Sequence, residues 1–172
     1  MKVLIILSLL TASLVIQTSC STKKKAVSDE KVENNIQNNQ SSLDKSDTLF
    51  ASLERGVCFG KCPAFKVEIY NSGYAVYKGK SNTDKIGTYT ARLSKDQLNL
   101  ITAKAKEINF MSLENEYDNK GVTDLPNHTT SVVINGVRKT VRRRVDYPQS
   151  IVTMENQIDA IVSEVIWTKS SN

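Results

Sequence analysis

From residue 49 onward, apolar positions recur with two different periods. Phe65, Val67 and Ile69 alternate with Lys66, Glu68 and Tyr70, the period of a strand with one buried side. Asn71-Ser72-Gly73 follows as a turn signal. Residues 74–78, YAVYK, then return, so the two runs predict a hairpin. Residues 87–93, GTYTARL, predict a third strand. Farther on, apolar runs at 129–134 and 137–145 flank Asn135-Gly136, the strongest short hairpin signal. Tyr147-Pro148 ends the second run.

Between these segments the period lengthens. Ser94 and Gln97 fit a capping box. Leu98, Ile101, Ala105 and Ile108 follow at the spacing of one helix face, and Phe110, Met111 and Leu113 extend that surface. A second helical stripe holds Ile151, Met154, Ile158, Ile161, Val162, Val165 and Ile166, and it ends near Trp167, expected as a core or rim aromatic. The predicted order is β-β-β-α-β-β-α. It implies an α+β fold, with an antiparallel sheet of about five strands and two helices packed on one face.

Upstream the pattern disappears. Residues 21–48 are rich in Lys, Asn, Gln, Ser and acids. Such a stretch does not bury enough apolar surface to offset its ordering entropy, so it is read as a tether. Before it, Lys2 precedes an apolar run at 3–10, continued by Leu14, Val15 and Ile16. This is the layout of a secretory signal. Ser8, Thr11 and Ser13 interrupt it, and it is too short for a spanning helix. The segment closes on Thr18-Ser19-Cys20 and resembles the lipobox of bacterial lipoproteins, although Gln17 stands where an apolar residue is usual. That resemblance implies cleavage before Cys20 and a lipid on it. The expected organisation is a signal peptide at 1–19, a lipid-anchored polar tether at 20–48 and one α+β domain at 49–172. The location implied is the bacterial cell envelope, at the outer membrane or a periplasmic face. The membrane is then a partner through the N-terminal lipid.

Location changes how the cysteines read. With Cys20 lipidated, two of the three cysteines remain, Cys58 and Cys62, within CFGKCP. Outside the cytoplasm an even pair reads first as one disulfide. A bridge needs Cα atoms within about 7 Å, whereas an extended chain of this length spans about 13 Å. The segment must therefore turn, which suits Gly60. Two alternatives stay open. C-x-x-x-C-P resembles the copper grip of Sco-type copper chaperones, which add a distant His; here His128 is the single one. A thiol-redox pair is the other, although the spacing is not C-x-x-C and a strand rather than a helix follows. Structural zinc needs four ligands, more than this set supplies. No cofactor is expected under the disulfide reading.

Charge adds two further candidates. Residues 138–144 are the densest basic cluster; on a strand, Arg138, Arg142 and Arg144 share one side with Thr140, and Lys139 and Arg143 share the other with the valines. The first side is a candidate contact for a polyanionic envelope component such as lipid head groups, or an edge strand protected by charge. The loop 114–127, with His128, carries Glu114, Glu116, Asp118 and Asp124. It lacks the regular spacing of a calcium loop and reads as a solvated loop. The net charge of +5 becomes +4 once Lys2 leaves with the signal, a value compatible with plain solubility. There is no Gly-x-Ser-x-Gly elbow, phosphate-cradling glycine loop or dinucleotide fingerprint. The chain is therefore read as a non-enzyme, with an unidentified envelope protein or polyanion as partner and no nucleic acid.

The stretch CFGKCPAFKVEIYNSGYAVYKG, together with TDLPNHTTSVVINGVRKTV at 123–141, resembles a bacterial, often lipoprotein-borne family, domain of unknown function 6438. The resemblance spans about residues 52–167 and implies a shared fold, with no activity attached.

Overall fold

The computed structural model describes residues 43–122 and 124–171. The expected signal peptide, Cys20 and the tether up to residue 42 lie outside them, as does Thr123. The elements run β1 (Leu49–Arg55), β2 (Ala64–Tyr70), β3 (Tyr74–Ser81), β4 (Gly87–Arg92), α1 (Lys95–Glu107), a 3-10 turn at Phe110–Ser112, β5 (Glu116–Tyr117), β6 (His128–Ile134), β7 (Val137–Arg143), α2 (Gln149–Glu164) and β8 (Thr168–Lys169).

The strands form one sheet of eight in the order β5-β7-β6-β1-β2-β3-β4-β8. All neighbours are antiparallel except β5 and β7. The fold is α+β as expected, but the expected five strands become eight. The strand of greatest consequence is β1, which joins the two hairpin halves by pairing with both β2 and β6. Its sequence, LFASLER, carries no turn signal and is rich in residues that also favour helices, so its short alternation does not by itself mark a strand. β5 and β8 are two residues each, too short to show any period.

Register explains the core. Leu53 lies opposite both Val67 and Thr130, and Val67 lies opposite Tyr77. Ala51, Leu53, Val67, Ile69, Ala75, Tyr77, Val132 and Val141 thus share one side of the sheet. They are buried with Ile101 and Ala105 of α1 and Ile151, Met154 and Ile158 of α2. The other side carries Glu54, Lys66, Glu68, Lys78, Arg138 and Arg142. Lys66 and Lys78 both pair with Glu68 there, and Lys80 pairs with Glu54.

Local signals hold where they were strong. Ser94 Oγ accepts from Gln97 N (3.2 Å), while Ser94 N donates to Gln97 Oε1 (2.9 Å). Asn135 and Gly136 both adopt positive φ (51° and 77°), as a tight hairpin requires. α2 stops at Glu164, earlier than the stripe suggested. Ile166 falls beyond it and is exposed, whereas Trp167 folds back over Tyr77 with ring centroids 5.5 Å apart.

The two ends of the sheet differ in what they hold. At the base, Thr48 O accepts from Asn71 N (3.0 Å), and the Asp47 carboxylate accepts from Ser72 N and Oγ. The last residues of the expected tether are thereby held against the β2–β3 turn. The opposite end, where β1, β3, β5 and β7 finish, gathers Cys58, Cys62, His128, Arg142 and Arg144, while Arg138 stays near the base.

Candidate functional site

β1 emerges at this end into Gly56 and then the cysteine loop. Gly56 N donates to Asn127 O (2.7 Å), and a Cβ on Gly56 would lie 2.8 Å from that same oxygen. Only glycine permits so close a backbone approach, and it ties the cysteine loop to the segment before β6. Cys58 and Cys62 are joined in a disulfide with Cα atoms 5.8 Å apart. Asn82 Nδ2 donates to Cys62 O (3.2 Å) and fastens the same loop to the β3–β4 connection. The bridge thus closes a tight ring held from two sides. On its outer surface Phe59 is 93% exposed and Val57 66% exposed.

Beneath this loop lies a charge network whose members are far apart along the chain. Arg55 and His128 face each other across β1 and β6, and His128 faces Arg143 across β6 and β7. All three project toward α2. There Glu155 is fully buried, and Arg143 grips it at two points, Nε to Oε1 at 2.6 Å and Nη2 to Oε2 at 2.5 Å. Arg55 pairs with Asp159, one helical turn beyond Glu155. The Arg143 guanidinium also lies 4.1 Å from the centroid of the Tyr147 ring, a cation–π contact.

His128 sits between these groups. Its Nδ1 lies 2.8 Å from Arg143 Nη2, 3.4 Å from Arg55 Nη1 and 3.2 Å from Glu155 Oε2. A neutral ring accepts from Arg143 through this nitrogen; a protonated ring donates through it to Glu155. The two carboxylates are tuned in opposite directions. Burial pushes the Glu155 carboxyl up, but the hydrogen bonds from His128 and Arg143 outweigh it and hold the group below the usual carboxylate range. Burial raises Asp159 above that range, with Arg55 offsetting only part of the effect. Two guanidiniums meet two carboxylates, so this is a matched internal network that clamps α2 to three strands.

The basic strand is arranged differently from the expectation. β7 ends at Arg143, so Arg144 lies beyond it, in the bend where Asp146 turns the chain with positive φ (52°). Arg138 and Arg142 do share the open side with Thr140. Arg138 Nη2 donates to Leu49 O (3.2 Å). Arg142 pairs with Glu116 and donates to Asn127 Oδ1 (2.9 Å). Arg144 Nε donates to Asp118 Oδ1 (2.6 Å), a contact that holds the Asp118 carboxyl below the usual range. The acidic loop and the basic strand, read separately along the chain, are therefore partners of each other, arranged by the parallel pairing of β5 on β7.

Among the described residues, no group of three or more His, Cys, Asp or Glu side chains is placed to hold a metal ion. A cavity of about 410 Å³ opens at the base, lined by Phe50, Leu93, Leu98 and Thr102 with Asn71 and Ser72. It contains none of the candidate residues.

The buried network did leave traces in the sequence. Arg143 shares the parity of Val141 two residues before it, and both are buried. Glu155 falls four residues after Ile151 and three before Ile158, within the apolar stripe of α2. A charge of each sign at inward positions is the signal of a buried pair.

Residues 50–162 match the family described as Domain of unknown function (DUF6438), and the chain belongs to that family. No curated protein matches it.

Proposed function

We propose that this member of the DUF6438 family is a lipid-anchored interaction module of the bacterial cell envelope, and that it works by binding rather than catalysis. The observation that carries the reading is the Cys58–Cys62 disulfide in an exposed loop. Such bonds form and persist in oxidising compartments. The N-terminal segment ending on Cys20 supports the same location and adds the anchor. A non-catalytic role is supported by the pairing of charges. Arg55, Arg143, Glu155 and Asp159 satisfy one another inside the fold, and Arg142 and Arg144 are engaged by Glu116 and Asp118. Groups committed in this way stabilise a scaffold.

The test is fractionation of the full chain in a bacterial host, with Cys20→Ser beside the native sequence. The native protein is expected in the membrane fraction and the variant in the soluble fraction, with equal thermal midpoints. A native protein that fractionates like Cys20→Ser contradicts the anchor.

A further inference from the structure

Three separate loops meet at the cysteine end of the sheet, and each displays large apolar side chains to solvent. The β1–β2 loop presents Val57 and Phe59, the β3–β4 loop Ile86, and the β5–β6 loop Leu125, all exposed. Hydrogen bonds tie the three loops together, from Asn82 to Cys62 O and from Gly56 N to Asn127 O. Phe59 stands between the two bridged cysteines, so its backbone is fixed before any partner arrives. A pre-ordered aromatic avoids much of the ordering cost that weakens binding. Exposed apolar side chains gathered on one rigid end mark an interaction surface.

We propose that this end is a docking tip, with Phe59 as its anchor, for a protein that presents an apolar pocket rimmed by charge, including a carboxylate facing Lys61. The proposal rests on the anchored-module reading and names the partner class. Two observations select a protein over a bilayer. The chain joins the domain at the base, where Asp47 and Thr48 are held by the β2–β3 turn. The seven residues of β1 put about 20 Å between that junction and the tip. The chain therefore enters β1 at the end opposite Phe59. The tip also has charges of both signs beside its apolar groups: Lys61 two residues from Phe59, Lys85 next to Ile86, and Asp84 two residues from it. A rim of mixed sign, with a carboxylate that anionic head groups repel, suits the polar rim of a protein interface.

The test places a photo-crosslinker at the anchor, Phe59→benzoylphenylalanine, in the full chain in cells that naturally produce it, with Leu100→benzoylphenylalanine on α1 as control. The expected result is an adduct with one protein at position 59 and not at 100. That protein, purified, should bind the native chain and bind Phe59→Ser at least about 30-fold more weakly, the loss typical of an interface anchor. Lys61→Glu should also weaken it. Phe59→Ser should retain the native thermal midpoint, since the side chain is solvent-facing. Absence of an adduct overturns the proposal, as does purified-partner binding that is indifferent to Phe59→Ser. Phe59-dependent sedimentation with phosphatidylglycerol vesicles would assign the tip to lipid. Phe59-dependent self-association in the ultracentrifuge would assign it to a second copy. Either result also overturns the proposal. Fractionation of the same cells separates the two claims: a soluble chain with an intact adduct removes only the anchor, and a membrane-bound chain without an adduct removes only the docking tip.

Discussion

Arg143 on β7 and Glu155 on α2 meet through two parallel hydrogen bonds inside the fold, with Glu155 fully buried. The pair joins the last long strand of the sheet to the helix that follows it. It thereby fixes how α2 crosses the end of the sheet that also carries the disulfide loop. A buried ion pair of this kind is weak as a source of net stability but severe when half of it is removed.

Glu155→Ala should therefore lose about 3–5 kcal/mol in urea denaturation, because it leaves the Arg143 charge buried without its partner. The double variant Arg143→Met with Glu155→Leu should lose less than Glu155→Ala alone. A double variant that simply adds the two single losses would show that the groups are not coupled.

The two carboxylates of α2 should respond to acid with opposite signs. Glu155 is held low in the folded state, so its contribution is present above its unfolded value and is lost as pH falls through the folded one. Asp159 is held high, so ionising it costs stability once pH exceeds its unfolded value, and that cost is relieved in acid. At neutral pH Glu155→Gln should lower the thermal midpoint and Asp159→Asn should raise it. Both differences should shrink at pH values below the carboxylate range. Equal shifts of one sign would contradict the assignment.

Breaking the bridge should cost little globally. Cys58→Ser with Cys62→Ser opens a ring closed over a sequence separation of four, and the chain-entropy treatment gives about 2 kcal/mol. The loop lies outside the core, so the domain should stay folded. Protease cutting near Phe59 should rise more steeply than the loss of stability alone explains.

Gly56→Ala should destabilise by about 1–3 kcal/mol, since its Cβ would be forced against Asn127 O at 2.8 Å. Amide exchange at residue 56 should accelerate as the Gly56–Asn127 bond opens.

Thr130 Oγ1 is buried with no hydrogen-bond partner among the described residues. Replacing the hydroxyl by a methyl, Thr130→Val, should raise stability by about 1 kcal/mol, the penalty such a group carries. A lower thermal midpoint would indicate that the hydroxyl has a partner in solution.

The legible parts of the fold were those written in local chemistry. The Ser94–Gln97 capping box, the Asn135-Gly136 hairpin and the stripe from Ile151 to Val162 each need only neighbouring residues. What stayed hidden depends on distant partners. β1 lies in the middle of the sheet because it bridges the β6–β7 hairpin and the β2–β3 hairpin; nothing within LFASLER states that. The network of Arg55, His128, Arg143, Glu155 and Asp159 joins three strands to a helix. Inward parity marked Arg143, and stripe position marked Glu155, but only topology brings them together. His128, singled out along the chain as a distant metal ligand, belongs to this network through Nδ1.

A lipid anchor on Cys20 and a disulfide formed in an oxidising compartment are both open to one measurement. The protein is isolated from its own cells without reductant, alkylated, digested and weighed. The predicted result is an N-terminal peptide beginning at a lipidated Cys20, together with a Cys58–Cys62 peptide that is fully bridged and takes up no alkylating agent. An unlipidated N-terminal peptide with both Cys58 and Cys62 alkylated would contradict it.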